Sequence, residues 1–451
     1  LITYAQLGVL VSRIARGLLA LGVRPRDRVA LCASDLFASY LLILGLDWLG
    51  CAIAPINAQD GDAARPTGHL DWSLTDFESQ DTTIAGRFTI TPQWFKSVVD
   101  APSPPLAPVD EAEDDPVHLR ATSGTTGKPK GHEVTRRMMT ARIHERAWHY
   151  NLSSSSRYLV AMPLTVGSVY AAALSCVYAG AAVIFETRPL IGSGTLGLTT
   201  HTTTLPLHLR GLLDSLPNDF AKPAQLTILA LGAPVSQEFR KRLLERLATR
   251  VINVYGTNET GTIAARSDSG PYLVMPTVSI RIVDDTGQEA AQGRSGHIGV
   301  RSPGTVAGYL GEDHPSQAYF RDGWFYPGDI GLLRAPGQLE ILGRADELLN
   351  IGGQKVSPLD LEERLHQLTG AKDVGLCTLP GGEGLEQLCV ALAGIDSVDN
   401  ELLGRVSASL GNSYGPVSLV TLPELPRNAA GKLVRRELRR VIEQARQSKR
   451  G

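Results

Sequence analysis

The residues of this chain best equipped for chemistry begin in one run: Thr122, Ser123, Gly124, Thr125, Thr126, Gly127, Lys128, Pro129, Lys130 and Gly131. Glycines let successive backbone N–H groups turn toward one anion, and hydroxyls add donors. Lysine contributes a point charge suited to phosphate. The run therefore reads as a loop that wraps a polyphosphate. It is not the ATPase pattern G-x-x-x-x-G-K-[ST], because counting from Gly124 the second glycine falls at Pro129. Gly/Thr-rich runs also form plain surface turns, so the decision rests on residues elsewhere.

Four later segments carry further candidates. Asn253, Tyr255, Gly256, Thr257 and Glu259 follow an apolar run. The tyrosine can stack on a base, the glycine permits close backbone approach, and the glutamate is a hard oxygen ligand suited to Mg²⁺. Asp329 follows a Pro-Gly turn, where a carboxylate can accept two hydroxyls. Arg344 and Asp346 stand two apart, followed by the turn Gly352-Gly353. Lys432 closes the segment Pro426 to Lys432, ahead of a basic stretch. Taken singly, each has a plainer reading: a strand-end turn, a turn aspartate, surface charge, a solvated lysine.

Taken together and in this order, they resemble the signatures of the adenylate-forming superfamily, which includes acyl-CoA and aryl-CoA synthetases, peptide-synthetase adenylation domains and beetle luciferase. The resemblance runs from near Thr3 to the basic C-terminal stretch. It implies an AMP-forming acid–thiol ligase. ATP and Mg²⁺ would serve it as cofactors, and a small-molecule carboxylic acid would attack the α-phosphorus. Coenzyme A, or the phosphopantetheine of an acyl-carrier protein, would then accept the acyl group. By the same resemblance Thr122, Ser123, Gly124, Thr125, Thr126, Gly127 and Lys130 hold the phosphates. Gly232, Ala233, Pro234, Asn253, Tyr255, Gly256 and Thr257 surround the nucleotide. Glu259 binds the metal, Asp329 the ribose, and Arg344 the ribose or α-phosphate. Lys432 contacts carboxylate and α-phosphate in the transition state, which makes Lys432, Glu259 and Arg344 the implied catalytic set. Asp346 is the implied hinge, with Gly352 and Gly353 on the thiol side. Val166, Ser168, Gly232, Gly256 and Ile263 are the implied acyl-pocket residues. Asn258 departs from the family's usual threonine, which implies altered contacts. Val166 stands near the aspartate by which amino-acid-activating relatives hold an ammonium group. A non-amino acid, aryl or fatty acyl, is therefore expected.

The elements that must position these residues follow from periodicity. Thr3 and Gln6 read as a capping box, followed by Leu7, Leu10, Val11, Ile14, Leu18 and Leu21 at helical spacing. A strand at 28–33, a helix at 36–49 and a strand at 51–56 make a βαβ unit. Segment 102–116 reads as a surface connection. The uncharged stretch 158–185 is long enough to cross a bilayer, but Pro163, Gly167 and Gly180 divide it into a buried strand–helix–strand unit. Helices near 136–150, 205–216 and 236–247 alternate with strands at 226–231 and 251–254. The strand at 226–231 ends in a Gly-containing turn, where open α/β sheets place ligands. Short alternating runs from 278 suggest a small β subdomain. Helices near 358–368 and 400–410, a strand near 387–393 and a basic helix from Val434 close the chain.

The expected fold class is α/β: a large N-terminal domain at 1–345 with parallel-rich sheets flanked by helices, including a β subdomain at 278–345, and a smaller α+β C-terminal lid at 346–451. A chain of 451 residues is long enough for two such cores. Its 44 basic and 46 acidic side chains give a formal net charge of −2, which offers no general attraction to nucleic acid or anionic membrane. The five scattered cysteines form no metal-ligand pattern and suit a reducing cytoplasm. No signal peptide is recognisable, and the start at Leu1 in mid-pattern leads us to expect an N-terminus that is not fully represented.

Overall fold

The computed structural model describes residues 1–56, 68–77, 83–102, 104–123, 129–186, 194–267, 270–311, 316–345, 348–351, 354–356, 358–380, 386–395, 397–410, 417–427 and 433–448. Internal contacts divide the chain into two compact units. One is Leu1–Arg281 with Gly299–Pro327, and the other is Ile282–Ile298 with Gly328–Gly451. The expected pivot, Asp346, lies outside the described residues.

In the first unit the chain opens on the helix Tyr4–Leu21. Thr3 caps it: its hydroxyl accepts from the Gln6 N–H, while the Gln6 side chain accepts from the Thr3 N–H at 2.8 Å. Gly22 ends it with φ 107°, a conformation that costs glycine little. Val11, Ile14, Ala15 and Leu18 form its buried stripe. By length and composition this is the one helix among the described residues apolar enough to span a membrane. Its stripe packs instead on the helix Leu36–Trp48, where Ile14 lies against Gly45.

The strands Arg28–Cys32 and Ala52–Pro55 pair in parallel across that second helix, the right outcome for a βαβ unit. Six strands complete this sheet, in the order Gly86–Thr89, Trp72–Thr75, Arg28–Cys32, Ala52–Pro55, Pro116–Ser123, Pro129–Thr135. The last two form an antiparallel hairpin that the sequence pattern does not announce. Its tip is the Gly/Thr-rich run, of which 124–128 lie outside the described residues. The 102–116 connection is tied down rather than loose. The Trp48 indole donates to Leu106 O at 2.8 Å, and Leu106 N donates to the Ser12 hydroxyl at 2.7 Å.

A second sheet begins with five parallel strands in the order Ala182–Phe185, Arg157–Val160, His201–Thr204, Thr227–Ala230, Arg250–Thr257. Gly261–Arg266 and Tyr272–Val274 add antiparallel strands beyond Arg250–Thr257. The uncharged stretch forms the strand Arg157–Val160, the helix Gly167–Tyr178 and the strand Ala182–Phe185, as its glycines and proline indicate. Seven residues of that helix are buried. The fold class is the expected mixed α/β.

In the second unit the strands Asp329–Ala335 and Gln338–Arg344 form a hairpin. A three-stranded sheet follows, Asp373–Pro380, Glu386–Ala393 and Val417–Leu422, with the first pair antiparallel and the second parallel. The helices Pro358–Thr369 and Asn400–Leu410 cover one face through Leu361, Leu365, Val406 and Leu410. The basic helix Arg435–Ser448 covers the other through Leu438 and Ile442.

The Tyr4–Leu21 and Leu36–Trp48 contact is close enough to test. A Cβ at Gly45 would sit 2.5 Å from the Ile14 Cγ2. Gly45→Ala is expected to destabilise by about 1–3 kcal/mol, against roughly 1 kcal/mol of helix propensity gained. Thermal unfolding of Gly45→Ala alone and combined with Ile14→Val checks it, with the second change restoring part of the loss.

Candidate functional site

The hairpin of the first sheet carries the site's polar side chains by alternation. Val117 and Leu119 are buried on one face, while His118 and Arg120 share the other. Across the hairpin Arg120 faces His132 and Thr122 faces Lys130, so Lys130 and His132 join the same face. All four are nearly sealed from solvent. The His118 ring stacks on Tyr170 at 4.3 Å. Arg120 donates from Nη1 to Thr165 O and from Nη2 to His118 Nδ1, the latter at 3.1 Å. An arginine only donates, so His118 accepts at Nδ1 and is neutral with its proton on Nε2. Burial first, then the Arg120 charge, holds His118 well below the ordinary histidine range. Burial, with Arg142 and Arg120 nearby, lowers His132 to about 3.

Lys130 sits over two rings, 3.7 Å from the Tyr319 centroid and 5.3 Å from that of Tyr309. The Tyr309 hydroxyl donates to Glu259 Oε1 at 2.8 Å. Two backbone bonds reinforce this link, Leu310 N to Gly131 O at 2.7 Å and Val306 N to Glu259 O at 2.9 Å. The Pro116–Thr135 hairpin and the Glu259 turn, 128 positions apart at Gly131 and Glu259, are thus joined through the 304–310 segment. Arg142, on the helix Arg136–His149, fastens the junction by donating to the carbonyls of Asn258, Glu259 and Gly304 at 3.2, 3.0 and 2.7 Å.

Asn253 organises the neighbouring turn. Its amide donates to Ala230 O and Ala233 O, each at 3.1 Å, and its oxygen accepts from Val235 N at 3.0 Å and Tyr272 Oη at 2.8 Å. Asn253, expected beside the nucleotide, thus also acts as a post for the turn between Ala230 and Val235. Gly256 sits at a break in strand register, where a Cβ would fall 2.2 Å from Gly261 O, so no side chain fits. Tyr255 meets Tyr272 edge to face at 6.3 Å. The Thr257 hydroxyl accepts from Thr260 N at 3.2 Å, turning the chain toward Glu259. Ile263 is fully buried. Val166 is the residue before the helix Gly167–Tyr178 and gives it no side-chain cap, and Ser168 O accepts from Arg146 at 3.1 Å.

In the second unit Asp329 and Arg344 are direct cross-strand partners, with Nη1 3.9 Å from Oδ1. Two residues fifteen apart in sequence are thus neighbours, and Asp329 is almost wholly buried. Thr122 and Ser123 lie on the strand leading into the loop. Gly124, Thr125, Thr126, Gly127, Asp346, Gly352, Gly353 and Lys432 fall outside the described residues. Sequence reasoning missed His118, Arg120, Arg142 and Tyr309. Alternation along 117–120 was the available signal for the first two.

A family model for AMP-binding enzymes matches residues 1–310. This chain is an AMP-binding enzyme. Feruloyl-CoA synthase from an Amycolatopsis species is 27% identical over 473 residues, covering 97% of this chain and 94% of that protein. Indoleacetate–CoA ligase from Aromatoleum aromaticum is 26% identical, covering 98% and 93%. Among solved structures, ATP-bound MatB from Rhodopseudomonas palustris has a TM-score of 0.84 at 22% identity, covering 98% and 94%. The o-succinylbenzoate CoA synthetase of Bacillus subtilis, in complex with its acyl-adenylate intermediate, has a TM-score of 0.82 at 23% identity, covering 97% and 93%. The AMP-binding enzyme is an AMP-forming ligase, as its motifs imply.

The buried histidines give this enzyme an acid sensitivity. Their folded forms resist protonation while the unfolded chain takes up protons from about pH 6.5 downward, so stability is present above that value and lost as pH falls toward 3. Each fully resisting histidine contributes a slope of roughly 1.4 kcal/mol per pH unit. Denaturant unfolding between pH 7.5 and pH 5 is expected to show a shallower loss in His132→Phe than in the wild type.

Proposed function

We propose that this enzyme activates a non-amino carboxylic acid, aryl or fatty acyl, with ATP. The products of the first step are an acyl-adenylate and pyrophosphate, and coenzyme A then takes the acyl group and releases AMP. The observation that carries the reading is the Tyr309 and Arg142 junction. It brings the base of a phosphate-binding hairpin against a turn bearing a nearly buried carboxylate.

A carboxylate is a weak nucleophile, so positioning and charge stabilisation must do most of the catalysis. In this reading the 122–130 loop holds the β- and γ-phosphates, which leave as pyrophosphate. Asp329 takes the ribose hydroxyls, and Arg344, held beside it, reaches the ribose or α-phosphate. Lys432 acts at the attacking carboxylate and the α-phosphate. Glu259 suits Mg²⁺: its Oε1 is already oriented by Tyr309, and among the described residues no larger group of metal-binding side chains competes. Bound there with phosphate oxygens, the ion would screen charge on the leaving group. Asp346 is the proposed pivot between 1–345 and 346–451. Gly352 and Gly353 are proposed to face the thiol after rotation, once water has been kept from the mixed anhydride.

The acid's class rests on Val166. An ammonium group buried there without a carboxylate would cost several kcal/mol. The names of the feruloyl and indoleacetate ligases favour coenzyme A as acceptor. A carrier-protein phosphopantetheine is the alternative, since a peptide-synthetase relative matches 97% of this chain across 6% of its own length. A cytoplasmic location belongs to the same reading and is supported by the scattered cysteines.

Pyrophosphate release across benzoates, cinnamates and fatty acids of graded length identifies the acid. Supplying coenzyme A or a holo-carrier protein then separates the acceptors. Lys432→Ala is expected to lower acid-dependent ATP–pyrophosphate exchange by about 10²–10³-fold; an unchanged rate removes the assignment and favours an inactive nucleotide-binding scaffold. Tyr309→Phe is expected to raise the Mg²⁺ concentration for half-maximal exchange by roughly fivefold, the effect of losing about 1 kcal/mol of orientation at Glu259.

A further inference from the structure

Three guanidinium groups of the first unit, the buried Arg120 and Arg146 and the half-buried Arg142, have no carboxylate at ion-pair distance among the described residues. Their donors go to backbone carbonyls, the His118 ring and the Thr262 hydroxyl. Carbonyls satisfy hydrogen bonds but leave the charge uncompensated. Two of the three have acids close enough to matter: Glu145 acts on Arg142 and Arg146, and Glu259 on Arg142. Among the described residues Arg120 has none; the acidic group that acts on it is the Tyr170 hydroxyl.

Its location makes the deficit sharper. The Arg120 guanidinium lies against the backbone of Gly167, where an added Cβ would come 2.9 Å from Cζ. It therefore stands at the positive end of the twelve-residue helix Gly167–Tyr178, and a cation there meets like charge. Val166 provides no side chain to cap that end. Helix end and guanidinium together call for one anion. The segment they share, Thr165 to Ser168, bears Val166 and Ser168 of the proposed acyl pocket. An uncompensated arginine there selects for negative charge on the substrate, as Val166 selects against positive charge.

We infer that the acid this enzyme activates carries a second carboxylate, remote from the reacting one, which is received by Arg120 at the N-terminal end of the Gly167–Tyr178 helix. This rests on the ligase reading and specifies its substrate: a dicarboxylic acid whose far end bears the charge. Arg120 acts as a specificity residue, not on the reacting atoms.

The test compares aliphatic and benzene dicarboxylic acids of graded length with their own monomethyl esters, which keep the length and remove the second charge. The readout is the ratio of kcat/KM for diacid over ester in pyrophosphate release. The wild type is expected to favour a diacid by roughly tenfold or more, the scale of one charge-assisted hydrogen bond. Arg120→Met is expected to bring that ratio toward one, whatever its effect on the common rate, and Arg120→Lys to retain part of it. A wild-type ratio at or below one for every pair overturns the inference without need of a variant that folds. So does a preference that survives in Arg120→Met, or an Arg120→Met defect in the KM for ATP or for the acid that is equal for diacid and ester. Ester turnover without diacid preference leaves the ligase reading standing, whereas pyrophosphate release with neither kind of acid defeats that reading itself.

Discussion

The fan of hydrogen bonds from one guanidinium holds the first unit's chemistry in place. Arg142 reaches the carbonyls of Asn258, Glu259 and Gly304 from the helix that follows the Pro116–Thr135 hairpin. Hydrogen bonds to charged groups contribute about 1.5–3 kcal/mol each, and here a single side chain donates to three carbonyl acceptors from two segments. Helix Arg136–His149 is itself anchored, because Arg136 pairs with Asp47 at 2.8 Å and with Glu111. A rigid helix thereby fixes both a turn and the segment that crosses it. Tyr309 and Lys130 then close the arrangement through contacts that need correct backbone placement first.

Much of the architecture was legible because it depends on local patterns. The capping box at Thr3 and Gln6, the βαβ unit and the uncharged strand–helix–strand stretch all formed where periodicity put them. The hairpin Pro116–Thr135 was not legible, for a physical reason. Its buried face is polar, with His118, Arg120, Lys130 and His132 where a core strand ordinarily shows Val or Ile, so its alternation does not look like that of a core. The strand Trp72–Thr75 does not stand out in the sequence because its Ser73 and Thr75 are polar although buried.

Motif residues were easier to find than to interpret. Asp329 and Arg344 were picked from separate segments, and only the hairpin register shows that they are one pair. Asn253 is expected beside the nucleotide, and its side chain also makes four hydrogen bonds that support the Gly232 turn. Nothing in a sequence shows that an amide's bonding capacity has already been used within the protein. Arg142 and Tyr309 carry no motif at all, since their effect comes from carbonyl and carboxylate partners brought near by the fold.

The polar hairpin also bears on how the chain reaches its folded state. Its two strands are local and can close on the microsecond scale, whereas the parallel pairing of His118 with Ile53 requires the ends of a much longer loop to meet. In the interval one face of the hairpin is open to water. Because that face carries arginine, lysine and histidine, it does not present the apolar edge on which unfinished sheets stick to one another. The same charges that are costly once buried keep the nascent hairpin soluble before docking. The cationic lining of the site is then also a guard against misassembly during synthesis.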